Sequence, residues 1–247
     1  MSPVLTREIM LSVDRLSAWY GAAQILYDLK FEVGRGEVVA LMGRNGAGKS
    51  TTMKSIMGLV AKRDGEVRFN GSDISGLKSY EIARRGLGFT PEDRRIFVDL
   101  TVEENLDVGR QPPRRFHDAK PAPVWTPDKL YKLFPNLAEM TGRLGSRMSG
   151  GEQQMLTVAR TLMGNPFLVL LDEPSEGVAP VIVEQMANTI IELKKEGLSI
   201  LLSEQNVHFA RLVSDRVYVL EKGQIRWSGT MPELEDNVEV QRAYLTV

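Results

Sequence analysis

The stretch Gly43-Arg44-Asn45-Gly46-Ala47-Gly48-Lys49-Ser50, followed by Thr51, decides the fold of this chain. It fits the pattern G-x-x-x-x-G-K-[ST] in full, between a buried-strand pattern at 37–42 (EVVALM) and a helical pattern at 49–59. Backbone N–H groups surround the phosphate oxygens in such a loop, which requires glycine where the chain comes closest. The N-terminal end of the following helix adds partial positive charge. Together these features predict a binding site for a nucleoside triphosphate.

Two side chains at the end of this loop suit the chemistry of a triphosphate. Lys49 is expected to bring an ammonium group against the β- and γ-phosphates, and Ser50 is expected to bind Mg²⁺ through its hydroxyl. The alternative is a glycine-rich turn that arises by chance, but such a turn has no need of the flanking strand and helix. We therefore predict that residues 43–51 bind ATP together with Mg²⁺.

The rest of the chain alternates short apolar strands with helical patterns, which predicts an α/β fold with a parallel sheet. The run 65–71 (GEVRFNG) alternates like a hairpin strand and indicates an antiparallel part. Thr101 and Glu104 form a capping box, so a helix is predicted to begin there. The proline-rich segment 109–127 is predicted to be a solvated loop rather than a contact surface for a partner or a lipid headgroup. Further strands are predicted at 87–90, 167–171, 199–203, 217–220 and 225–228, and a helix from Pro180 to a stop at Gly197.

Two carboxylates end the apolar run 167–173 (FLVLLDE). The carboxyl ends of parallel strands face the crevice where α/β sheets bind their ligands. Asp172 is expected to hold Mg²⁺, and Glu173 is expected to orient and polarise the attacking water as a general base. A strand that simply ends in a polar turn before Pro174 is the alternative, and the phosphate loop makes it the weaker one.

A second loop also opens a helix with a hydroxyl and two glycines, at Ser149, Gly150 and Gly151, with Glu152 next in the chain. This is the composition of another anion site. One triphosphate cannot easily occupy both sites of one protomer. We therefore predict a head-to-tail dimer in which ATP lies between the first loop of one chain and residues 149–152 of the other, the alternative being an ordinary glycine-containing helix start.

Composition excludes several classes of function. The net charge of −1 gives no electrostatic reason to expect nucleic acid as a partner. The chain has no cysteine, which excludes disulfides and thiolate metal sites. No apolar run reaches the length of a membrane span, and Arg7 and Glu8 stand where a signal peptide would be apolar. We expect a cytosolic protein that serves a membrane, if it does so, by docking on a partner.

The order and spacing of these motifs resemble the ATP-binding subunit of ABC transporters over nearly the whole chain. The loop 43–50 resembles Walker A, the run 168–173 resembles Walker B, and Ser149-Gly150-Gly151 resembles the family signature, 23 residues before Asp172. The resemblance implies one ABC ATPase domain over 1–247. It would have a P-loop, RecA-like parallel-sheet core, an antiparallel β subdomain and a helical subdomain at roughly 97–162. It also implies that Tyr20 stacks on adenine and that Ile25 lines the same pocket.

Several positions depart from the general ABC pattern. Glu92 stands where a glutamine usually senses Mg²⁺, and a carboxylate there can still bind the metal. Gln205 stands at the switch position that normally carries histidine, and it can donate a hydrogen bond to the γ-phosphate without a positive charge. With the stretches PE-x-RRIF-x-x-LTVEENL and SGGEQQML, these departures resemble the ATPase subunits of bacterial branched-chain amino acid importers.

In that subfamily the resemblance implies several partners. They are a second ABC ATPase, identical or related, two membrane permease subunits and a periplasmic solute-binding protein, with the chain peripheral on the cytoplasmic face of the inner membrane. Glu92, Arg94 and Arg95 would then face the coupling helices of the membrane subunits. Import of urea, amides or aromatic acids stays open. So do an exporter, a soluble ABC ATPase, a module that holds ATP without hydrolysis and another P-loop enzyme.

Overall fold

The computed structural model describes residues 8–245 of the chain. Residues 1–7, which carry part of the prediction that no signal peptide is present, lie outside the described residues. The strands of the described part are β1 (Ile9–Tyr20), β2 (Ala23–Gly34), β3 (Val38–Met42), β4 (Lys62–Phe69), β5 (Ser72–Asp73), β6 (Leu87–Thr90), β7 (Leu168–Asp172), β8 (Ser199–Glu204), β9 (Arg216–Glu221) and β10 (Gln224–Thr230).

The strands form two sheets. One has six strands in the order β10-β9-β3-β8-β7-β6, in which every neighbouring pair is parallel except β9 and β10. The other has four antiparallel strands in the order β2-β1-β4-β5. The predicted α/β fold, with a parallel core and an antiparallel part, is confirmed. Because β3, β8, β7 and β6 run in the same direction, their carboxyl ends meet at one edge of the sheet.

The four helices whose starts were predicted, at Lys49, Thr101, Ser149 and Pro180, begin at those residues or at the next one. Thr101 Oγ1 accepts a hydrogen bond from Glu104 N, and Glu104 Oε2 accepts one from Thr101 N at 2.7 Å, which confirms that capping box. The segment between β6 and β7 holds four of the helices. That the chain is one domain with a helical subdomain at 97–162 stays a prediction. The helices are α1 (Lys49–Ile56), α2 (Ser79–Arg84), α3 (Val102–Gly109), α4 (Pro127–Leu133), α5 (Pro135–Ala138), α6 (Gly150–Leu162), α7 (Pro180–Lys195), α8 (Val207–Val213), α9 (Met231–Asp236) and α10 (Val238–Tyr244).

The parallel sheet is buried on both faces, which explains why its central strands are continuous apolar runs. Along β7, Leu168 and Leu170 pack into a core shared with the antiparallel sheet and α1. Val169 and Leu171, which point the opposite way, pack into a second core with α6 and α7. Two hydrophobic layers therefore hold the strand ends in fixed relative positions.

The segment 109–127 is irregular and mostly exposed, as a solvated loop should be. Phe116 and Trp125 are nevertheless buried, and the ring centroid of Phe116 lies 4.9 Å from that of Phe167. Arg114 donates to the carbonyl of Arg84 at 2.6 Å. These two aromatic side chains anchor the segment to the core. Their spacing matches neither a helix nor a strand, so hydrophobic periodicity in the sequence could not reveal them.

Candidate nucleotide site

The loop between β3 and α1 has the conformation that its glycines permit. Gly46 and Gly48 have φ values of +79° and +111°, in the left-handed region that favours glycine. A Cβ atom on Gly43 would lie 2.3 Å from the carbonyl oxygen of Leu220, so no side chain fits there. The loop thus follows a tight course, with Gly46 exposed and with Gly43 and Gly48 buried against neighbouring segments.

The remaining residues of the loop brace it or face outward. Ala47 N donates to the carbonyl of Arg44 at 3.1 Å, and the Ala47 carbonyl accepts from Gly223 N at 2.8 Å. The turn between β9 and β10 therefore supports the loop from behind. Asn45 and Thr51 line the cavity in front of it.

Lys49 is buried at the centre of the loop, with 3% of its side chain exposed. Its Nζ donates to the carbonyls of Gly43 at 2.7 Å and Arg44 at 3.2 Å. The same atom lies 2.9 Å from Oε1 of Glu173, which is also buried. The predicted phosphate-binding ammonium and the predicted general base are thus in direct contact.

Asp172 lies at the end of β7, within reach of two hydroxyl groups. Ser50 Oγ donates to Asp172 Oδ1 at 3.0 Å, and Ser203 Oγ donates to the same oxygen at 2.6 Å. Burial raises the pKa of Asp172, and the hydrogen bonds from Ser203 and Ser50 work in the opposite direction. Ser50 and Asp172 together offer the oxygen ligands that Mg²⁺ prefers.

These residues fit Mg²⁺ only as an ion held partly by phosphate. Among residues 8–245 no group of three or more histidine, cysteine, aspartate or glutamate side chains could hold a metal by itself. Mg²⁺ commonly binds through one or two protein oxygens, several waters and the phosphates of its substrate. Glu92, the third predicted ligand, is exposed and lines the same cavity.

Glu173 has a strained backbone, with φ at +47°. Its N–H donates to both the carbonyl and the hydroxyl of Ser203, each at 3.1 Å, which holds this conformation in place. Burial works to raise the pKa of its carboxyl group. The hydrogen bonds with Glu176 and Lys49 and the charge of Lys49 outweigh burial, so the pKa of Glu173 is lowered.

Glu176 is a member of the site that sequence reasoning missed. Its side chain is hydrogen-bonded to that of Glu173, and this bond, with burial and the charges of Glu173 and Glu92, raises the pKa of Glu176 to about 7. Its N–H donates to the Glu173 carbonyl at 3.1 Å, so a turn brings the two side chains together. In the sequence, the only sign of this turn is the spacing of three residues between the two acids, with Gly177 next.

The carboxyl edge of the sheet opens into a cavity of about 440 Å³. Tyr20 and Ile25, from the antiparallel sheet, form one wall, and Tyr20 is 51% exposed, with its ring available for stacking. The cavity brings together most of the residues that we predicted from sequence for the cradle side of the site. Its lining residues are Tyr20, Ile25, Asn45, Gly46, Gly48, Lys49, Ser50, Thr51, Glu92, Glu173 and Glu176.

Gln205 follows β8 and is partly buried. It is not one of the described residues that line this cavity. Its neighbour Glu204 is almost fully buried and was not singled out in the sequence. Glu204 Oε1 accepts from Ser175 N at 3.2 Å, and Oε2 accepts from Gln205 N and Asn206 N at 3.2 and 3.1 Å. Burial raises the pKa of Glu204. This carboxyl ties the segment after Glu173 to the predicted switch.

The predicted second loop caps helix α6, away from the cavity. Ser149 Oγ accepts from Glu152 N at 3.4 Å, and Glu152 Oε2 accepts from Ser149 N at 2.6 Å. A Cβ atom on Gly151 would lie 2.7 Å from the Ile182 side chain, so α6 starts in close contact with α7. Residues 149–152 do not line the cavity with Lys49, and their role as a second anion site stays a prediction.

A family model described as "ABC transporter" matches residues 26–176, more than half of the chain. The match spans the loop 43–51 and both carboxylates at the end of β7. The chain belongs to the ABC transporter family. It is an ATPase of the ATP-binding cassette type, as the motifs predicted.

Relatives of this ABC ATPase include proteins with different transport roles. BraG of Pseudomonas aeruginosa, a high-affinity branched-chain amino acid transport ATP-binding protein, is 44% identical over 96% of this chain and 99% of its own. LivF of Archaeoglobus fulgidus, a probable branched-chain amino acid transport ATP-binding protein, is 33% identical over 94% of this chain and 97% of its own. LptB of Haemophilus influenzae, from a lipopolysaccharide export system, is 34% identical over 96% and 97%. The predicted resemblance to branched-chain transport ATPases is confirmed.

Solved ABC cassettes have the same fold. An ATP-binding cassette of an ABC transporter in its ADP conformation superposes with a TM-score of 0.76 at 27% identity, covering 93% of this chain and 94% of its own. An ATP-binding subunit of another ABC transporter gives 0.75 at 29% identity, covering 96% of each. In this ABC ATPase, no helix between residues 8 and 245 has both the length and the apolar character needed to cross a membrane.

Proposed function

We propose that this ABC ATPase powers an importer of branched-chain or related amino acids by binding and hydrolysing ATP at a dimer interface. The observation that carries the proposal is the 44% identity to BraG along nearly the full length of both chains. The intact cradle at Lys49, beside Asp172 and Glu173, supports hydrolysis rather than mere retention of ATP.

In the proposed reaction, the triphosphate takes up the donors of the loop 43–51. The γ-phosphate competes with Glu173 for the Lys49 ammonium, and the released carboxylate is then free to accept a proton from the attacking water. Ser50 and Asp172, with Glu92 nearby, would hold Mg²⁺, which when bound neutralises charge on the β- and γ-phosphates. Gln205 would donate a hydrogen bond to the γ-phosphate, and Tyr20 and Ile25 would contact adenine.

The separation of the two predicted anion-binding loops supports the proposed dimer. Residues 149–152 lie outside the cavity that holds Lys49 in the same chain. A nucleotide that uses both loops must therefore bridge two subunits, identical or related, and its binding favours the closed pair. Hydrolysis removes the bridging phosphate and releases the closed state.

A groove beside the site suits the proposed membrane subunits. It encloses about 530 Å³ between α2, β6, α3 and α6, and it presents Tyr80, Phe97 and Val108, each about half exposed. Exposed apolar side chains in a groove are a common docking feature for a partner helix. We propose that the coupling helices of two permease subunits bind here, on the cytoplasmic face of the inner membrane, with a periplasmic protein delivering the solute.

The test is to purify the complex around a tagged copy of this chain and identify its subunits and solute. We expect two permease subunits, a second ATPase and ATP hydrolysis that rises when a receptor loaded with leucine, isoleucine or valine is added. Stimulation by urea, an amide or an aromatic acid instead would move the chain to another importer class. Absence of any membrane subunit would favour a soluble ABC ATPase.

A lipopolysaccharide-type exporter is the second candidate, because LptB covers the chain as completely as BraG does, at 34% rather than 44% identity. The same purification separates the two. An exporter would retain membrane subunits that respond to a lipid substrate and would show no stimulation by an amino acid receptor.

A further inference from the structure

The loop after β6 carries two adjacent residues in the left-handed region, Arg94 at φ +62° and Arg95 at φ +50°. Neither is glycine, so this backbone is strained and must be held by its surroundings. Thr157 Oγ1, on α6, donates to the Arg94 carbonyl at 2.8 Å, and Arg94 N donates to the Pro91 carbonyl at 3.2 Å. The loop is thus fixed against the helix that the signature loop begins.

The two arginine side chains have different surroundings. Arg95 is exposed and its Nε lies 2.7 Å from Asp93. Arg94 is partly buried, and its guanidinium covers Gly150, since a Cβ atom there would lie 2.7 Å from Nη1. A Cβ on Gly177 would lie 4.0 Å from Nη2. Within residues 8–245 the Arg94 guanidinium has no hydrogen bond or ion pair, although arginine normally binds an acceptor in such surroundings.

The cavity that holds Lys49 has more acidic than basic side chains in its lining. Among the described residues that line it, Lys49 is the sole cation, whereas Glu92, Glu173 and Glu176 are acids. The switch position holds neutral Gln205 in place of a group that can become positive. A triphosphate with its Mg²⁺ still brings net negative charge to this cavity, so a further cation supplied from outside it would be favourable.

We propose that Arg94, instead of facing the coupling helices as the family resemblance implied, is a nucleotide-binding residue that acts across the dimer and donates to the triphosphate held by the partner subunit's cradle. This rests on the proposed function. The guanidinium lies at the start of α6, beside the loop 149–152, and both would approach the same phosphate. The guanidinium lies in the space that a side chain on Gly150 would enter. The arginine supplies the charge that the acidic cavity lacks.

The experiment compares Arg94→Met, which keeps much of the length, and Arg94→Lys, which keeps the charge, with the unchanged protein. Arg68→Ala, which removes an exposed ion pair with Glu66 on β4, is the control for loss of a surface arginine. ADP binding to the isolated chain is measured by calorimetry, because ADP needs only the cradle. Steady-state ATP hydrolysis is measured on the complex that co-purifies with each tagged variant.

We expect Arg94→Met to lower kcat/KM for ATP about tenfold or more, the usual effect of losing one charge-assisted hydrogen bond. Arg94→Lys should recover part of this loss, and ADP affinity and thermal stability should stay unchanged in all variants. An unchanged kcat/KM in Arg94→Met, or an equal loss of ADP affinity, would overturn the proposal. If the complex with unchanged Arg94 does not hydrolyse ATP, that result contradicts the proposed transport function and is distinct from a failure of the Arg94 proposal.

Discussion

Replacing Lys49 by methionine should destabilise the nucleotide-free chain, because it leaves the Glu173 carboxylate buried without its cation. Lys49 and Glu173 are 3% and 6% exposed, and their charged atoms lie 2.9 Å apart. Removing one partner of a buried ion pair typically costs about 3–5 kcal/mol. We expect about 3 kcal/mol, the lower end, because the hydrogen bond between Glu176 and Glu173 remains in the variant.

The sign of the pH dependence follows from the same contact. Without Lys49, burial is opposed only by the hydrogen bond from Glu176, so the pKa of Glu173 rises from its lowered value. The penalty is then small at low pH, where the carboxyl group is protonated with or without Lys49, and it grows as the pH rises through the pKa of Glu173 in the variant. Lys49→Met should therefore unfold at clearly lower urea than the parent at pH 8, with a smaller gap near pH 5.

Urea unfolding of the nucleotide-free protein, followed at both pH values with the slope m held comparable, measures this effect. The double variant Lys49→Met/Glu173→Gln is the matched control, because it removes both charges together. It should recover most of the lost stability. A loss below about 1 kcal/mol in Lys49→Met at pH 8, or no recovery in the double variant, would refute the view that the two groups form a buried pair.

Three further predictions concern single positions. Glu173→Gln should retain ATP binding by calorimetry but lose about 10²–10⁴-fold in phosphate release, the usual contribution of a general base; near-normal turnover would contradict that role. Glu176→Gln should gain stability over the parent as the pH rises from 4.5 to about 7, because the raised pKa of Glu176 disfavours its ionised form in the folded state; parallel urea midpoints across that range would contradict it. Gly43→Ala should destabilise the chain by about 1–3 kcal/mol, since its Cβ would lie 2.3 Å from the Leu220 carbonyl; an unchanged unfolding midpoint would show that the loop can move away.

The sequence predicted the parts of the site that depend on local chemistry. The loop 43–50 could be recognised because glycine spacing, the preceding strand and the following helix all serve one backbone conformation. Asp172 and Glu173 could be located because parallel strands end at a common edge. The predicted strand at 167–171 proved to be β7 (Leu168–Asp172), a shift of one residue that leaves the first carboxylate inside the strand.

What the sequence did not predict depends on contacts between distant segments. Glu204 gave no signal, since its three N–H donors include Ser175, 29 residues earlier in the chain. Glu176 required the strained turn at Glu173 to bring two acids together. Phe116 and Trp125 belong to an aperiodic segment, and hydrophobic periodicity identifies only regular elements. The sequence does not distinguish Arg94 from Arg95, because only the fold of the loop makes one partly buried and the other exposed.

The nucleotide site combines a fully paired lysine with several acidic side chains. Lys49 donates to two carbonyls and contacts Glu173, so in the proposed reaction a triphosphate would exchange partners with these groups. The exchange would leave the Glu173 carboxylate without its cation, near Glu92 and Glu176. Repulsion between these carboxylates and the phosphates would oppose nucleotide binding by one subunit alone. Donors on a second subunit, at Ser149 and Arg94, would offset it. In the proposed dimer, an acidic half-site would make tight ATP binding depend on closure of the pair, which is the coupling that the proposed transport function requires.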